Sequence, residues 1–381
     1  MIEFTPEETA FRESVARFVD REVVPVAAGF DERGEFPSAL FRRMGELGHF
    51  GLRYPESAGG TSELALPGGA AFVTYLILAE ELARGSLSLA ADAAMQAMMG
   101  TDFVFRYGTP DHHERLLAPA LRGEKIGAFC LSEPNAGSDL ARIETIARQE
   151  GGGWRLTGRK MWVTHGTMAE FFTVAASIDR EKGMKGIRFF LVEKGAAGLE
   201  IGRRISTLGL RAGDLTELSL DGTPAVALGQ GGVEDLGKML DQVRTMTGAL
   251  AVGLGRAALA EATRYAKERV CFGKPISQFQ AIQHRLAEGA TELEAARLLV
   301  YQAGRRIERG LKCGREAAMA KLFASEAANR LADSATRVLA GYGFAMEFPV
   351  QRLFRDARFL LIGGGTSEIL LNMIARDLFE A

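Results

Sequence analysis

Apolar positions recur at helical spacing from the first segment onward, with Phe11, Val15, Phe18 and Val19 on one face. Pro37 and Ser38 open a second amphipathic run that reaches Leu47. The Pro, Gly and Ser content of Tyr54 to Gly69 predicts a loop, after which Ala70 to Ala83 and Leu87 to Met99 resume as apolar helices. From Ile126 the texture changes to short alternating or β-branched runs: Ile126 to Leu131, Trp154 to Thr157, Phe171 to Ser177, Ile187 to Val192 and Leu215 to Leu220. Glycine-bearing turns separate them, which predicts a small antiparallel barrel or sandwich ending near Gly232. Three long periodic segments follow, roughly Leu236 to Arg269, Ser277 to Arg309 and Arg315 to Leu339, with shorter ones after Pro349 and Thr366. Helices this long without internal proline pack as a four-helix bundle. The expected division is therefore 1–125 helical, 126–232 β and 233–381 helical, an α+β chain.

A length of 381 residues suits two or three packed domains. Charged residues make up 25% and the net charge is −2, so there is no basic field to hold nucleic acid or an anionic membrane. Cys130, Cys271 and Cys313 match no metal-ligand or paired spacing, which argues against a metal site and for a reducing compartment. Met1 to Glu8 is polar and acidic, and no apolar run approaches a membrane span. A cytoplasmic protein is expected.

Four strings carry the chemistry. Leu131-Ser132-Glu133-Pro134-Asn135-Ala136-Gly137-Ser138-Asp139 is a Gly-bearing loop after a strand, which lets backbone N–H groups approach a flat or anionic ligand. Alone, such a loop is usually only a turn. Gly158-Arg159-Lys160-Met161-Trp162-Val163-Thr164-His165 offers an aromatic face beside a polar handle. Tyr265 to Ile276, with Arg269 and Phe272, is followed by Gln280, and Arg337-Val338-Leu339-Ala340-Gly341 leads into Tyr342-Gly343-Phe344.

In this order and spacing the strings closely resemble the acyl-CoA dehydrogenase family over nearly the whole chain. The resemblance implies an N-terminal helical domain, a middle β domain and a C-terminal four-helix bundle around FAD. It implies cofactor contacts from Leu131, Ser132, Ser138, Trp162, Val163 and Thr164. Arg269, Phe272, Gln280, Arg337, Gly341, Thr366 and Glu368 complete the set, some of them serving a neighbouring subunit's FAD. Ser138, Asp241, Arg244, Gly364 and Gly365 match positions that touch the acyl-CoA substrate. A homotetramer passing electrons to an electron-transfer flavoprotein is the implied assembly.

One departure bears on the reaction. In the family a carboxylate removes the α-proton of the thioester while the β-carbon passes hydride to the flavin. The commonest seat for that carboxylate is Gly364 here, and the alternative seat, directly before Arg244, is Val243. Neither accepts a proton. Asp92 is the candidate base, because an acid enclosed by the Ala and Met residues of its helix loses solvation and gains basicity. Ser88, Asp92 and Gln96 equally form one polar stripe that would simply face water. A base moved along the pocket would suit an alicyclic acyl-CoA thioester. The alternatives are a flavin-dependent oxidase or monooxygenase on the same fold, or a catalytically silent acyl-CoA or acyl-carrier binding protein.

Overall fold

The computed structural model describes residues 2–62, 71–229 and 232–380. The first helical unit comprises α1 (Pro6–Phe18), α2 (Val24–Arg33), α3 (Ser38–Glu46), α4 (Phe72–Gly85), α5 (Leu87–Ala94), α6 (Asp102–Tyr107), α7 (Pro110–His112) and α8 (Ala118–Leu121). Thr5 caps α1: its hydroxyl accepts from the Glu8 amide while the Glu8 carboxylate accepts from the Thr5 amide at 3.0 Å. Residues 63–69 of the loop expected from Tyr54, and the expected helix start at Ala70, lie outside the described residues. In α4, Phe72, Val73 and Tyr75 to Ala83 are all buried. A helix buried on nearly every side must be covered on nearly every side, and α4 lies between α1 and the C-terminal helices. Helix α5 runs on into a π-helical turn, Met95–Met99. Its stripe of Ser88, Asp92 and Gln96 does not face water, being 3%, 2% and 0% exposed.

The middle unit holds β1 (Gly127–Cys130), β2 (Ile146–Glu150), β3 (Gly153–Thr164), β4 (Phe171–Ser177), β5 (Ile187–Glu193), β6 (Leu199–Ile201) and β7 (Leu215–Ala227). The order β4-β2-β3-β7-β5 closes into a barrel because β5 pairs with both β7 and β4. The expected antiparallel pairing holds for β2–β3, β3–β7, β4–β5, β5–β7 and β6–β7. In contrast β1 runs parallel to β4, and β2 meets β4 in parallel at Ile146 and Ser177. The long connection between β1 and β4 is what permits a parallel pair, which a tight hairpin cannot make. Phe172, Val174, Phe190, Val192, Leu218 and Leu220 fill the barrel.

The C-terminal unit comprises α9 (Val233–Glu268), a short hairpin of β8 (Val270–Cys271) and β9 (Lys274–Pro275), α10 (Gln280–Glu308), α11 (Gly314–Leu339), α12 (Gly341–Phe344), α13 (Pro349–Leu360) and α14 (Ser367–Glu380). Helices α9, α10 and α11 pack together, and α4 of the first unit lies on α9 and α10 to complete the bundle. The crossing of α4 and α9 is close enough that a Cβ at Gly253 would come within 2.1 Å of the Glu80 carbonyl. Glu80 is buried there and takes Arg256 at 2.7 Å, Arg297 at 3.1 Å and the Tyr301 hydroxyl at 2.8 Å. A buried carboxylate needs such donors, and these three bind the helical units to each other.

Candidate active site

The loop after β1 is fixed from beneath. Leu131 and Ser132 present their carbonyls to the Lys160 ammonium at 3.1 Å and the Met161 amide at 2.9 Å. Glu133, almost fully buried, takes Lys160 at 2.7 Å and the Thr145 amide at 3.0 Å. Burial alone would raise the Glu133 carboxyl, but Lys160 and the amide donors hold it below the ordinary carboxylate range. Ser138 stands exposed on the outer part of the loop.

Strand β3 carries its aromatic handle on an irregular end. Register slips between Lys160 and Val163, and Trp162 sits at φ +60° with its side chain 55% exposed. Val163 points into the barrel, so its backbone alone can meet a ligand, while Thr164 is half-buried beside it. A second left-handed residue, His165 at φ +66°, comes immediately after.

A separate apolar cleft of about 730 Å³ is lined by Tyr265, Arg269, Phe272, Phe279, Leu339 and Tyr342, with Gly341 at its wall. The Arg269 guanidinium lies over the Tyr342 ring at 6.0 Å, and Phe272 is 96% exposed on the hairpin. Gln280 is exposed at the start of α10. Arg337 turns away from the cleft to Asp333 at 2.7 Å. The cleft offers an apolar bed ending in a planar cation, the donor set for an extended aromatic ligand carrying phosphates.

The third region joins α9 to the turn before α14. Gly364 and Gly365 have φ of +74° and +110°. An ideal Cβ at Gly364 would lie 3.2 Å from Thr247 Oγ1 and 3.8 Å from both Thr247 Cβ and Val243 Cγ1. The two positions where a base is expected therefore face one another, and neither bears a group that takes a proton. Thr247 donates to the Val243 carbonyl at 2.8 Å, and the Lys321 ammonium donates to the Gly365 carbonyl at 2.6 Å. Burial pulls Lys321 down to about 8. Arg244 holds Asp241 at 2.8 Å and is nearly buried, with its Nε lacking a partner. Thr366 accepts from the Ile369 amide as α14 begins, Ser367 donates to Glu326 at 2.7 Å, and Glu368 is exposed.

Asp92 lies apart from this region in its contacts. Its Oδ1 is 3.4 Å from His165 Nε2, and a Cβ at Gly213 would meet both carboxylate oxygens at 3.4 Å. Burial pushes the Asp92 carboxyl up, partly offset by His165. Sequence reasoning marked His165 only as a departure from the family pattern, with no role, and passed over Thr247 and Lys321. Lys321 left a signal of its own, a lone lysine at core spacing among Ala317, Ala318, Ala320 and Ala324 of α11.

Three family models match in order along the chain: acyl-CoA dehydrogenase N-terminal domain at residues 5–124, middle domain at 128–223 and C-terminal domain at 230–379. Benzylmalonyl-CoA dehydrogenase of Aromatoleum aromaticum is 48% identical, covering 98% of each chain. Butyryl-CoA dehydrogenase from Megasphaera elsdenii superposes over 100% of both chains with a TM-score of 0.93 at 32% identity. A chain from a structure described as the electron transferring flavoprotein of Acidaminococcus fermentans gives 0.94 at 30% identity, again over 100% of both. The chain belongs to the acyl-CoA dehydrogenase family of FAD-dependent oxidoreductases.

Proposed function

We propose that this enzyme oxidatively decarboxylates a 2-carboxyacyl-CoA, a malonyl-type thioester with an arylmethyl substituent. The observation that carries the reading is the facing pair of Gly364 and Val243, two positions for a base that bear no proton acceptor. Removal of an α-proton needs an acceptor. Cleavage of an α-carboxylate does not, because the C–C bond electrons stay on the α-carbon as CO2 leaves. In R-CH2-CH(COO−)-CO-SCoA the β-carbon then gives up hydride, and the product is R-CH=CH-CO-SCoA. Atoms and charge balance with one CO2 and one hydride, and no proton is abstracted. Bound FAD supplies the hydride acceptor.

The residues at hand fit that division of labour. Glycine at 364 leaves room for the substrate carboxylate where relatives place their own. Val243 strips water from it, which favours departure as neutral CO2. Lys321 fixes the Gly364-Gly365 turn through the Gly365 carbonyl. Arg244, aligned by Asp241, and Ser138 hold the CoA moiety. Leu131, Ser132, Trp162, Val163 and Thr164 line the isoalloxazine, with Thr366 and Glu368 close by. Arg269, Phe272, Gln280 and Gly341 serve the adenosine diphosphate half across a subunit contact in a homotetramer, whereas Arg337, held by Asp333, does not. The name of the benzylmalonyl relative supplies the substituent, and the flavoprotein neighbour supports an electron-transfer flavoprotein as acceptor.

A second reading keeps Asp92 as a relocated base for an alicyclic thioester, favoured by the upward push of burial on its carboxyl. Anaerobic mixing of the purified enzyme with a thioester panel separates the two. The decarboxylation reading expects flavin bleaching and CO2 only with 2-carboxyacyl-CoA. Equal bleaching by alicyclic or linear thioesters refutes it, and no bleaching by any thioester indicates a silent binding protein.

A further inference from the structure

Asp92 is the one charged residue of α5, whose other side chains are apolar or small. It crosses from the helical unit to the middle unit and stops against a single imidazole, with both side chains no more than 3% exposed. Asp92 Oδ2 and both ring nitrogens of His165 have no hydrogen-bond partner among the described residues, so carboxylate and imidazole meet as a close polar contact at 3.4 Å. The imidazole stands edge-on to Phe41 at 5.5 Å and Phe36 at 5.9 Å. Gly213 makes room for the carboxylate, and Arg204 ties the Gly213, Arg211 and Gly34 carbonyls together behind it.

The backbone of His165 is clamped as firmly as its ring. Its N–H donates to the Asp214 carbonyl at 2.8 Å, and its own carbonyl accepts from the Met168 and Ala169 amides. The Asp214 carboxylate in turn accepts from the Thr167 amide at 2.9 Å. A histidine at φ +66° persists only where its surroundings over-determine it. Trp162 at φ +60° is the second such residue, so Val163 and Thr164 are held between two strained corners.

We infer that Asp92 and His165 are a positioning pair that sets Trp162 and Thr164 against the flavin. The inference rests on the cofactor reading of β3 and is independent of which thioester reacts. A buried ionisable pair costs more than an apolar join of the same shape, so what it adds is geometry: one direction for the imidazole and one conformation for the strand end. Asp92 acts through His165 and touches neither substrate nor cofactor in this assignment.

The test uses purified holoenzyme and the variants Asp92→Ala, Asp92→Asn and His165→Asn. Visible absorption and circular dichroism of bound FAD, its midpoint potential, and kcat against KM are measured for each. Asp92→Ala and His165→Asn are expected to shift the flavin dichroism and potential and to lower kcat about tenfold with KM within about twofold. Asp92→Asn, which keeps a polar group of the same shape beside the ring, is expected to stay within about twofold of the parent in every readout. Unchanged flavin spectra and potential in both Asp92→Ala and His165→Asn overturn the inference and leave a structural contact. Loss of flavin reduction in Asp92→Asn with parental spectra and potential also overturns it, in favour of a proton acceptor. If Asp92→Ala fails to fold, His165→Asn and Asp92→Asn still give both outcomes.

Discussion

Replacing Gly364 by glutamate puts the missing base into its commonest seat, and the geometry there sets both the structural cost and the change in reactivity. The backbone has φ +74°, so any L side chain costs about 1–2 kcal/mol. The new Cβ would lie 3.2 Å from Thr247 Oγ1, which must give by a few tenths of an ångström against its bond to the Val243 carbonyl. A fall in thermal midpoint of roughly 2–4 °C per kcal/mol is expected. The larger effect is electrostatic. A glutamate at 364 would sit about 4 Å from the substrate's own carboxylate, and two like charges at that separation repel by about 4 kcal/mol at an effective dielectric constant near 20. The repulsion opposes binding of the carboxylate, which converts to about a thousandfold in the second-order rate constant for flavin reduction. Stopped-flow flavin reduction under anaerobic conditions measures it, with a 2-carboxyacyl-CoA and its matched acyl-CoA as substrates. Gly364→Glu is expected to lose the first reaction about a thousandfold and to gain the second, while Gly364→Ala isolates the backbone cost and keeps the parental preference. Retention of the decarboxylating rate within about tenfold in Gly364→Glu would refute the reasoning.

Arg244→Ala removes a nearly buried guanidinium and orphans Asp241, and KM for CoA thioesters is expected to rise about 10–100-fold with a smaller change in kcat, read from steady-state kinetics. Glu80→Ala leaves Arg256 and Arg297 without their shared carboxylate, and a loss of about 3–5 kcal/mol is expected in urea unfolding. His49 lies buried between Phe11 and Phe18, and burial, aided by Arg43, lowers it to about 4. The unfolded chain then binds the extra proton between about pH 6.5 and 4, so this contribution is complete above pH 6.5 and is lost as pH falls towards 4. The loss amounts to about 3 kcal/mol, and His49→Leu should flatten that limb of the stability profile.

Much of this architecture is visible in the chain, and the hidden parts have physical causes. Long periodic segments reveal α9, α10 and α11 because their apolar positions recur at helical spacing. Of β3, only Trp154 to Thr157 shows as a short run by pattern; Gly158 and the Arg159-Lys160 pair interrupt it, and the family resemblance is what marks the rest as strand. Lys160 is nevertheless fully buried, since Glu133 and the Leu131 carbonyl supply its partners from a loop 27 or more residues away. Gln96 reads as a water-facing amide, yet its side chain bonds the Ala120 and Lys125 carbonyls and the Gly127 amide inside the protein. The vacancy at Gly364 and Val243 is legible as two separate absences. That they face each other is a property of the fold, because one lies mid-helix in α9 and the other in a turn more than a hundred residues later. The contact between Asp92 and His165 is hidden for the same reason.

The most direct measurement tracks the α-carbon itself. A 2-carboxyacyl-CoA carrying deuterium on the α-carbon and 13C in the free carboxylate is mixed anaerobically with the holoenzyme in a single turnover. The decarboxylation mechanism predicts one labelled CO2 per flavin reduced, with the α-deuterium retained in the enoyl-CoA product and no primary deuterium isotope effect from the α-position. Loss of the α-deuterium to solvent during turnover, or flavin reduction without labelled CO2, would contradict it and return the search to a base.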